Sequence, residues 1–337
     1  MYSILDVAKL AKVSKSTVSR VLSGDSYGVS DKTKAKVEKA AKELGYVKNS
    51  LASSLRTNKT KTILLIIPDI TNNFWAEVAR GAQDFLEKHD YSLIMVNTDW
   101  KSDKYNKYLE LALSKGVDGI LINSSTSLTS KLNNIDLPIV LLGNAYLESH
   151  FPRVGSNTLE GFNEALEFLY KNGHTKIGVV ASHTDTVGGK SHQNKLSIYH
   201  TFLENHSIRF NKNYYFSVGY SMEGGKELAT LISKMENPPT AIIAGNDLIA
   251  VGLINECREL NIKVPDDLSI IGIDDIPISS IIHPSLTTIA KPKRDVGEKA
   301  AEIIIKVIEG QPVNKNYKLP VNLVIRDTVK KINGDLK

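Results

Sequence analysis

From Thr62 onward, short apolar runs alternate with amphipathic stretches, and that alternation leaves few folds open. Ile63–Ile67, Ser92–Val96, Gly119–Ile122, Ile139–Leu142, Ile177–Ala181, Ala241–Ala244 and Ser269–Ile273 are near-continuous in apolar residues, as strands covered on both faces must be. Helical periodicity fills the gaps at Phe74–His89, Leu159–Asn172, Met222–Lys234, Asp247–Leu260 and Asp295–Glu309. Strand then helix, repeated, means parallel sheets, and the chain is long enough for two doubly wound ones. The expected class is α/β, with an all-α unit ahead of it.

That leading unit differs in charge. Residues 1–61 hold 11 Lys and 2 Arg against 3 Asp and 2 Glu, a net +8, whereas the remainder carries −3. A solvated lysine-rich helix face would give the same count, so geometry must be added before the charge names a partner. Ile4, Ala8 and Ala11 share one helical face, and a break at Lys12 and Val13 precedes the N-cap residue Ser14. Val18, Val21 and Leu22 then line a second helix. A third starts at Ser30, buries Val37, Ala40, Ala41 and Leu44, and stops at Gly45. Small alanines let the first two helices cross closely, the packing of a helix-turn-helix whose second helix enters a major groove. Lys15 and Ser16 begin that second helix and Arg20 lies one turn on, so these are expected to read base edges, Arg20 toward guanine O6 and N7. Ser14, Thr17 and Ser19 are expected to hold phosphates.

Other classes are poorly supported. With 337 residues and 42% hydrophobic content, the chain can bury the cores of two or three domains. The lone Cys257 has no disulfide partner, and nothing near Ile4 reads as a secretion leader, so a reducing cytoplasm is expected. No apolar run approaches the roughly 20 residues that cross a bilayer. There is no GxGxxG after the first strand, no GxxxxGK[ST] loop and no His/Cys cluster at metal-ligand spacing. The expectation is therefore no catalytic site, no metal and no cofactor. Gly188-Gly189 reads as a flexible loop, His89, His174 and His206 as helix-end caps, and Cys257 as a structural thiol.

Polar residues instead gather just after strands, where open α/β sheets place ligands. Asp69 and Asn72 follow the first strand, Asn246 and Asp247 follow Ala244, and Asp274 and Asp275 follow Ile273, with Phe74, Trp75 and Tyr220 available to stack on a ring. Carboxylates and amides beside an aromatic platform suit a polyhydroxylated ligand such as a sugar.

Leu5-Asp6-Val7-Ala8, Val13-Ser14 and Thr17-Val18-Ser19-Arg20-Val21-Leu22 resemble the headpiece of the LacI/GalR family of bacterial repressors. The likeness continues through Val29-Ser30, Leu44-Gly45-Tyr46 and Asn49–Arg56, which is similar to the family's hinge helix. Pro239-Thr240-Ala241, Asn246-Asp247, Ile271–Asp275 and Pro284–Ile289 resemble its core, whose fold is like that of periplasmic sugar-binding proteins. The resemblance implies three parts: a helix-turn-helix domain at 1–47, a hinge at 48–60 and an effector-binding and dimerisation core at 61–330. Within the core it implies one subdomain of 61–158 plus 289–318 and another of 159–288 plus 319–330. The hinge is too short to be helical alone, and it implies folding on DNA with Ala52, Ser53 and Leu55 in the minor groove, Leu55 as the wedge. For the effector it implies Asp274 and Asn246 as binding residues, Phe74 and Tyr220 as aromatics of the pocket, Asn157 from the family's Asp-Asn pair, whose first member is Ser156 here, and Lys195 where relatives commonly carry a clamping arginine; Asp69 and Asn72 are expected beside them from their place after the first strand. Lysine is a point charge and not a planar fork; it would suit an acid or phosphorylated sugar, or mark a site answering to a protein co-regulator.

A palindromic operator needs two headpieces, so a homodimer is expected. The tail Thr328–Lys337 has no heptad repeat, and a tetramer-forming helix is not expected. Two competing readings are a sugar-binding module of a transport system and an α/β enzyme. The headpiece opposes the first and the missing catalytic motifs the second. Whether the effector releases or promotes DNA binding is not written in the chain.

Overall fold

A computed structural model describes residues 2–22, 24, 27–46, 59–123, 132–143, 150–182 and 190–332, with backbone alone at 181–182 and 190–193. The chain divides into two units, residues 1–60 and 61–337. In the first, helices α1 (Ile4–Ala11), α2 (Lys15–Leu22) and α3 (Asp31–Glu43) enclose Val7, Ala8, Ala11, Val18, Val21, Val37, Ala40 and Ala41. Each helix end has a local cause. Ser3 and Asp6 form a reciprocal capping box that starts α1, and Lys12, at φ 54, ends it by donating its N–H to the Ala8 and Lys9 carbonyls. Ser30 caps α3, and Gly45, at φ 58, closes it. Leu22 and Leu44, expected in this core, are half-buried at its rim. Val7, which the sequence reading passed over, is fully enclosed.

The second unit holds two six-stranded sheets. The elements of the first are β1 (Thr62–Ile67), α4 (Asn73–Glu87), β2 (Ser92–Asn97), α5 (Ser102–Lys115), β3 (Gly119–Asn123), β4 (Ile139–Leu142) and β5 (Arg153–Ser156). The chain then builds the second from α6 (Thr158–Lys171), β6 (Ile177–Ser182), α7 (Lys190–Asn205), β7 (Tyr215–Val218), α8 (Met222–Ser233), β8 (Ala241–Ile243), α9 (Asp247–Glu259), β9 (Ser269–Asp274) and β10 (Thr287–Ala290). It returns through α10 (Lys293–Ile308) and β11 (Asn316–Leu319) and ends with β12 (Asn322–Val324). Strand order is β2-β1-β3-β4-β5-β11 in one sheet and β7-β6-β8-β9-β10-β12 in the other. The described pairings are parallel except β10 with β12. Residues Ile63–Ile67 are all buried, which is why β1 needs no polar alternation.

The subdomain exchanges lie a residue or two beyond the expected positions. β10 keeps Ile289 and Ala290 in the second sheet, and β11 keeps Leu319 in the first. The reason is partner choice: Ile289 joins the second lobe's core and Leu319 packs against the first's. Both lobes also bring a helix pair into backbone contact through glycines. A methyl on Gly81 or Gly297 would lie 2.1 Å from the Arg294 carbonyl oxygen or 1.9 Å from that of Val78. In the other lobe, Gly225 and Gly252 do the same for α8 and α9, at 2.2 and 2.0 Å. Among the described residues, no helix is long and apolar enough to cross a membrane.

Candidate DNA-reading surface and effector cleft

On α2, Lys15, Ser16 and Arg20 are exposed, while Thr17 and Ser19 are half-buried. Ser14 caps the helix. Its Oγ accepts the Thr17 N–H at 3.1 Å and lies 2.7 Å from Ser16 Oγ and 2.9 Å from Thr17 Oγ1. The three hydroxyls form one cluster at a helix N-terminus, a position that favours anions, and hydroxyl hydrogens can rotate toward a phosphate. A groove beside this cluster is lined by Lys9, Lys12 and Lys15 together with Leu5, Ala8, Val13 and Ser14. Lys9 and Lys12 add cationic reach that helical periodicity alone did not single out. The expected hinge contacts Ala52, Ser53 and Leu55 lie outside the described residues, as do Gly188 and Gly189.

The cleft residues stand at the C-terminal ends of strands. Asp274 ends β9, is 5% exposed, and adopts φ 118; Asp275 follows at φ 55. Two successive non-glycine residues at positive φ cost conformational energy, so neighbours must hold them. Arg326 Nη2 donates to Asp275 Oδ1 at 2.7 Å and its Nη1 to the Leu286 carbonyl at 2.7 Å. Lys293 Nζ donates to the carbonyl oxygens of Asp274 at 2.9 Å and Asp275 at 2.6 Å. The Asp274 carboxylate itself receives Lys291 Nζ at 3.1 Å, and that ammonium lies 4.2 Å from the centre of the Phe74 ring. Burial pushes the Asp274 carboxyl above the usual carboxylate range, against the pull of Lys291, Lys293 and Lys195. Lys195, on α7, is 9% exposed.

Other expected residues have structural duties that local chemistry explains. Asn72 Oδ1 caps α4 by accepting the Phe74 N–H at 2.9 Å, and Asn246 Oδ1 caps α9 by accepting from Ile249 at 2.9 Å. Each keeps its amide NH2 for another partner. Asp69 accepts the Thr71 N–H at 2.9 Å and the Thr71 hydroxyl at 2.7 Å, shaping the turn after β1. Tyr220 packs on Gly245, where a methyl would come within 2.7 Å of its Cε1, and its ring centre is 5.8 Å from that of Trp100. Trp100 follows β2 and so reaches the cleft from the opposite lobe. Trp75, expected as a stacking platform, instead meets Phe74 edge-on at 4.9 Å inside the first core.

Asp247 is wholly buried and accepts from the Ile276 N–H and the Ser279 hydroxyl at 2.8 Å each and the Thr288 hydroxyl at 2.5 Å. Burial first, then the charge of Asp274, pushes its carboxyl up to about 6. It ties α9 to the segments after β9 and along β10.

The histidines divide. His89 bonds the Phe85 carbonyl in the capping role expected, but His206 pairs with Glu167 on another helix, and buried His174 joins Thr240 to the Lys330 carbonyl. Cys257 is buried, and burial pushes its thiol up to about 12, a structural and unreactive state. Among the described residues, no group of three or more His, Cys, Asp or Glu could hold a metal ion.

Reading the sequence missed Lys291, Lys293 and Trp100. Lys291-Pro292-Lys293 directly follows an apolar strand, and paired lysines at such a strand exit were the available signal.

Residues 3–49 match the family described as bacterial regulatory proteins, lacI family, and residues 166–329 match the periplasmic binding protein-like domain. The HTH-type transcriptional repressor PurR of Vibrio vulnificus is 34% identical, over 99% of this chain and 100% of the relative. Among solved structures, a lac repressor dimer bound to operator and an anti-inducer superposes with TM-score 0.85 at 25% identity, covering 98% of this chain and 99% of that one. A LacI family transcriptional regulator from Enterococcus faecium with bound ribose gives TM-score 0.71 at 26% identity, over 81% of this chain and 100% of that one. With a helix-turn-helix at one end, two doubly wound lobes behind it and relatives matching along almost its whole length, the chain belongs to the lacI family of bacterial regulatory proteins and is a regulator, not an enzyme.

Proposed function

We propose that this chain is a cytoplasmic transcriptional repressor that binds a pseudo-palindromic operator as a homodimer and answers to a sugar or sugar derivative held between its two lobes. The observation that carries the reading is the cationic helix-turn-helix, with Lys15, Ser16 and Arg20 exposed on α2. Lys15, Ser16 and Arg20 read bases, Ser14, Thr17 and Ser19 hold phosphates, and the hinge residues Ala52, Ser53 and Leu55 enter the minor groove. The name of the Vibrio vulnificus relative supports repression, and the lac repressor dimer on its operator supports paired headpieces. Dimerisation gains further support from β2, an edge strand that leaves Ile94 44% and Met95 36% exposed; apolar side chains on an open edge are a pairing surface.

The ribose-bound relative supports a carbohydrate in the cleft. Asp274, Asn246, Asn72, Asp69, Phe74, Tyr220 and Lys195 are its proposed contacts. The ligand shifts operator affinity by binding the open and closed arrangements of the lobes unequally.

Selection of bound duplexes from a random pool tests the DNA reading: a two-fold-related consensus is expected, and no enrichment over random duplex would sink it. Asp274→Ala is expected to abolish the ligand response while leaving operator affinity intact, which a gel-shift titration with and without ligand would measure.

A further inference from the structure

We propose that Lys9 and Lys12 are positioning residues that bind the phosphate backbone of the duplex, seating one strand in the groove between α1 and the start of α2. The inference deepens the DNA reading given above and rests on it.

Leu5, Ala8 and Val13 give this groove an apolar lining, and Lys9, Lys12 and Lys15 give it a cationic one. Among the described residues no Asp or Glu lines it. The nearest acid in sequence, Asp6, is spent on Ser3, accepting its N–H at 2.8 Å and its hydroxyl at 2.7 Å. Ammonium groups gathered without a carboxylate repel one another, and a polyanion relieves that repulsion. Ser14 and Lys15 belong both to the groove and to the start of the DNA-reading helix, so the groove continues that surface. An apolar lining beside cations suits the deoxyribose and phosphate of a backbone, and lysine, a point charge on a flexible stem, follows such a chain without reading its sequence.

The backbone at Lys12 supplies a second argument. Lys12 ends α1 at φ 54 and ψ 49, a left-handed conformation that crowds any Cβ and that glycine adopts freely. Helix ends of this kind favour glycine or asparagine. The lysine is exposed, so no burial of its side chain offsets the crowding. A cation does suit the carbonyl end of a helix, but Lys9 in the last turn already supplies one. What Lys12 adds is an ammonium on the groove. A backbone held there fixes how α2 enters the major groove beside Lys15 and Ser16.

Anisotropy titration of the full chain at several salt concentrations tests this, with a duplex selected from a random pool and a random duplex of equal length. The slope of log affinity against log salt should become shallower by about 1 per headpiece in Lys9→Gln and again in Lys12→Gly, on both duplexes alike. Lys9→Arg, which keeps the charge, should hold the parental slope. Lys12→Gly should melt no lower than the parent, because glycine relieves the crowding. Parental slopes in Lys9→Gln and Lys12→Gly, with the selected consensus unchanged as the sign of an intact headpiece, would overturn the proposal. A loss confined to the selected duplex would also overturn it, by making these residues base readers, and a lower melting temperature of Lys12→Gly at parental slope would assign Lys12 to the helix end alone. If no duplex is enriched over random the DNA reading itself falls, whereas parental slopes on an enriched duplex remove only this inference.

Discussion

The headpiece and the cleft both begin from helix N-termini, and they use them in opposite ways. At α2 the cap Ser14 is exposed and organises hydroxyls at the surface, next to Lys15 and Arg20. In the core, the caps Asn72 and Asn246 are 7% and 5% exposed, their carbonyl oxygens consumed inside the protein. A site on a small helical unit inherits its exposure from local periodicity. A site between lobes depends on residues far apart in sequence, as when Asp275 is held by Arg326, 51 positions away.

The largest effect expected from this contrast is at Asp247. Asp247→Ala strands the Ile276 N–H and two hydroxyls that it now accepts from, and unsatisfied buried donors cost about 1–3 kcal/mol each. Urea unfolding should therefore show a loss of about 3 kcal/mol or more; a loss below about 1 kcal/mol would mean the carboxylate is not the tie described. Gly297→Ala comes next, because the added methyl would meet the Val78 carbonyl at 1.9 Å. Overpacking of this kind costs about 1–3 kcal/mol, and a thermal melt that matches the parent would show that α4 and α10 can separate freely.

Arg20→Ala sharpens the comparison from the other side. Operator affinity should fall by about 1–3 kcal/mol with relaxed preference at one base pair, while unfolding of the core is unchanged. Uniform weakening across all sequences would reassign Arg20 to the phosphate backbone.

The smallest effect is a pH dependence at His174. Burial lowers its pKa below the ordinary 6.5, so the folded state holds the ring neutral between Thr240 and the Lys330 carbonyl. At neutral pH both folded and unfolded rings are neutral and the stabilisation is complete. As pH falls below about 6.5 the unfolded chain takes up a proton that the fold resists, and stability is lost. Asp247 works the other way: with a folded pKa of about 6 against 3.8 unfolded, its contribution grows as pH falls through that window. The advantage of the parent over His174→Gln should therefore shrink between pH 7 and 5, and a constant gap would exclude the titration.

How much could be read in advance follows the same division. The apolar runs that became β1, β3, β4, β6, β8 and β9 were legible because a strand buried on both faces announces itself. β2 showed the same composition for a different reason, lying exposed at the sheet edge. The helix Lys190–Asn205 escaped because its apolar residues are sparse, and Ser102–Lys115 because its buried face is only Tyr105, Leu109 and Ala112. The short strands Arg153–Ser156 and Asn316–Leu319 carry little hydrophobic signal of their own and exist by pairing, the first with β4 and the second with the first. In the cleft, Asp274 was visible as a polar residue at a strand end, but Lys291 was not, since nothing local ties it to a carboxylate 17 residues earlier.

The amino-acid sequence by itself determined the three-helix headpiece, the parallel α/β class and the position of the charge, because helix caps, periodicity and buried strands act over a few residues. Only the tertiary structure decided which polar residues at the strand ends are spent as caps and turns. It also decided that Lys291 and Lys293 converge on one aspartate, Asp274. Burial and charge at that point are sums over several chain segments, and no single stretch of sequence carries the sum.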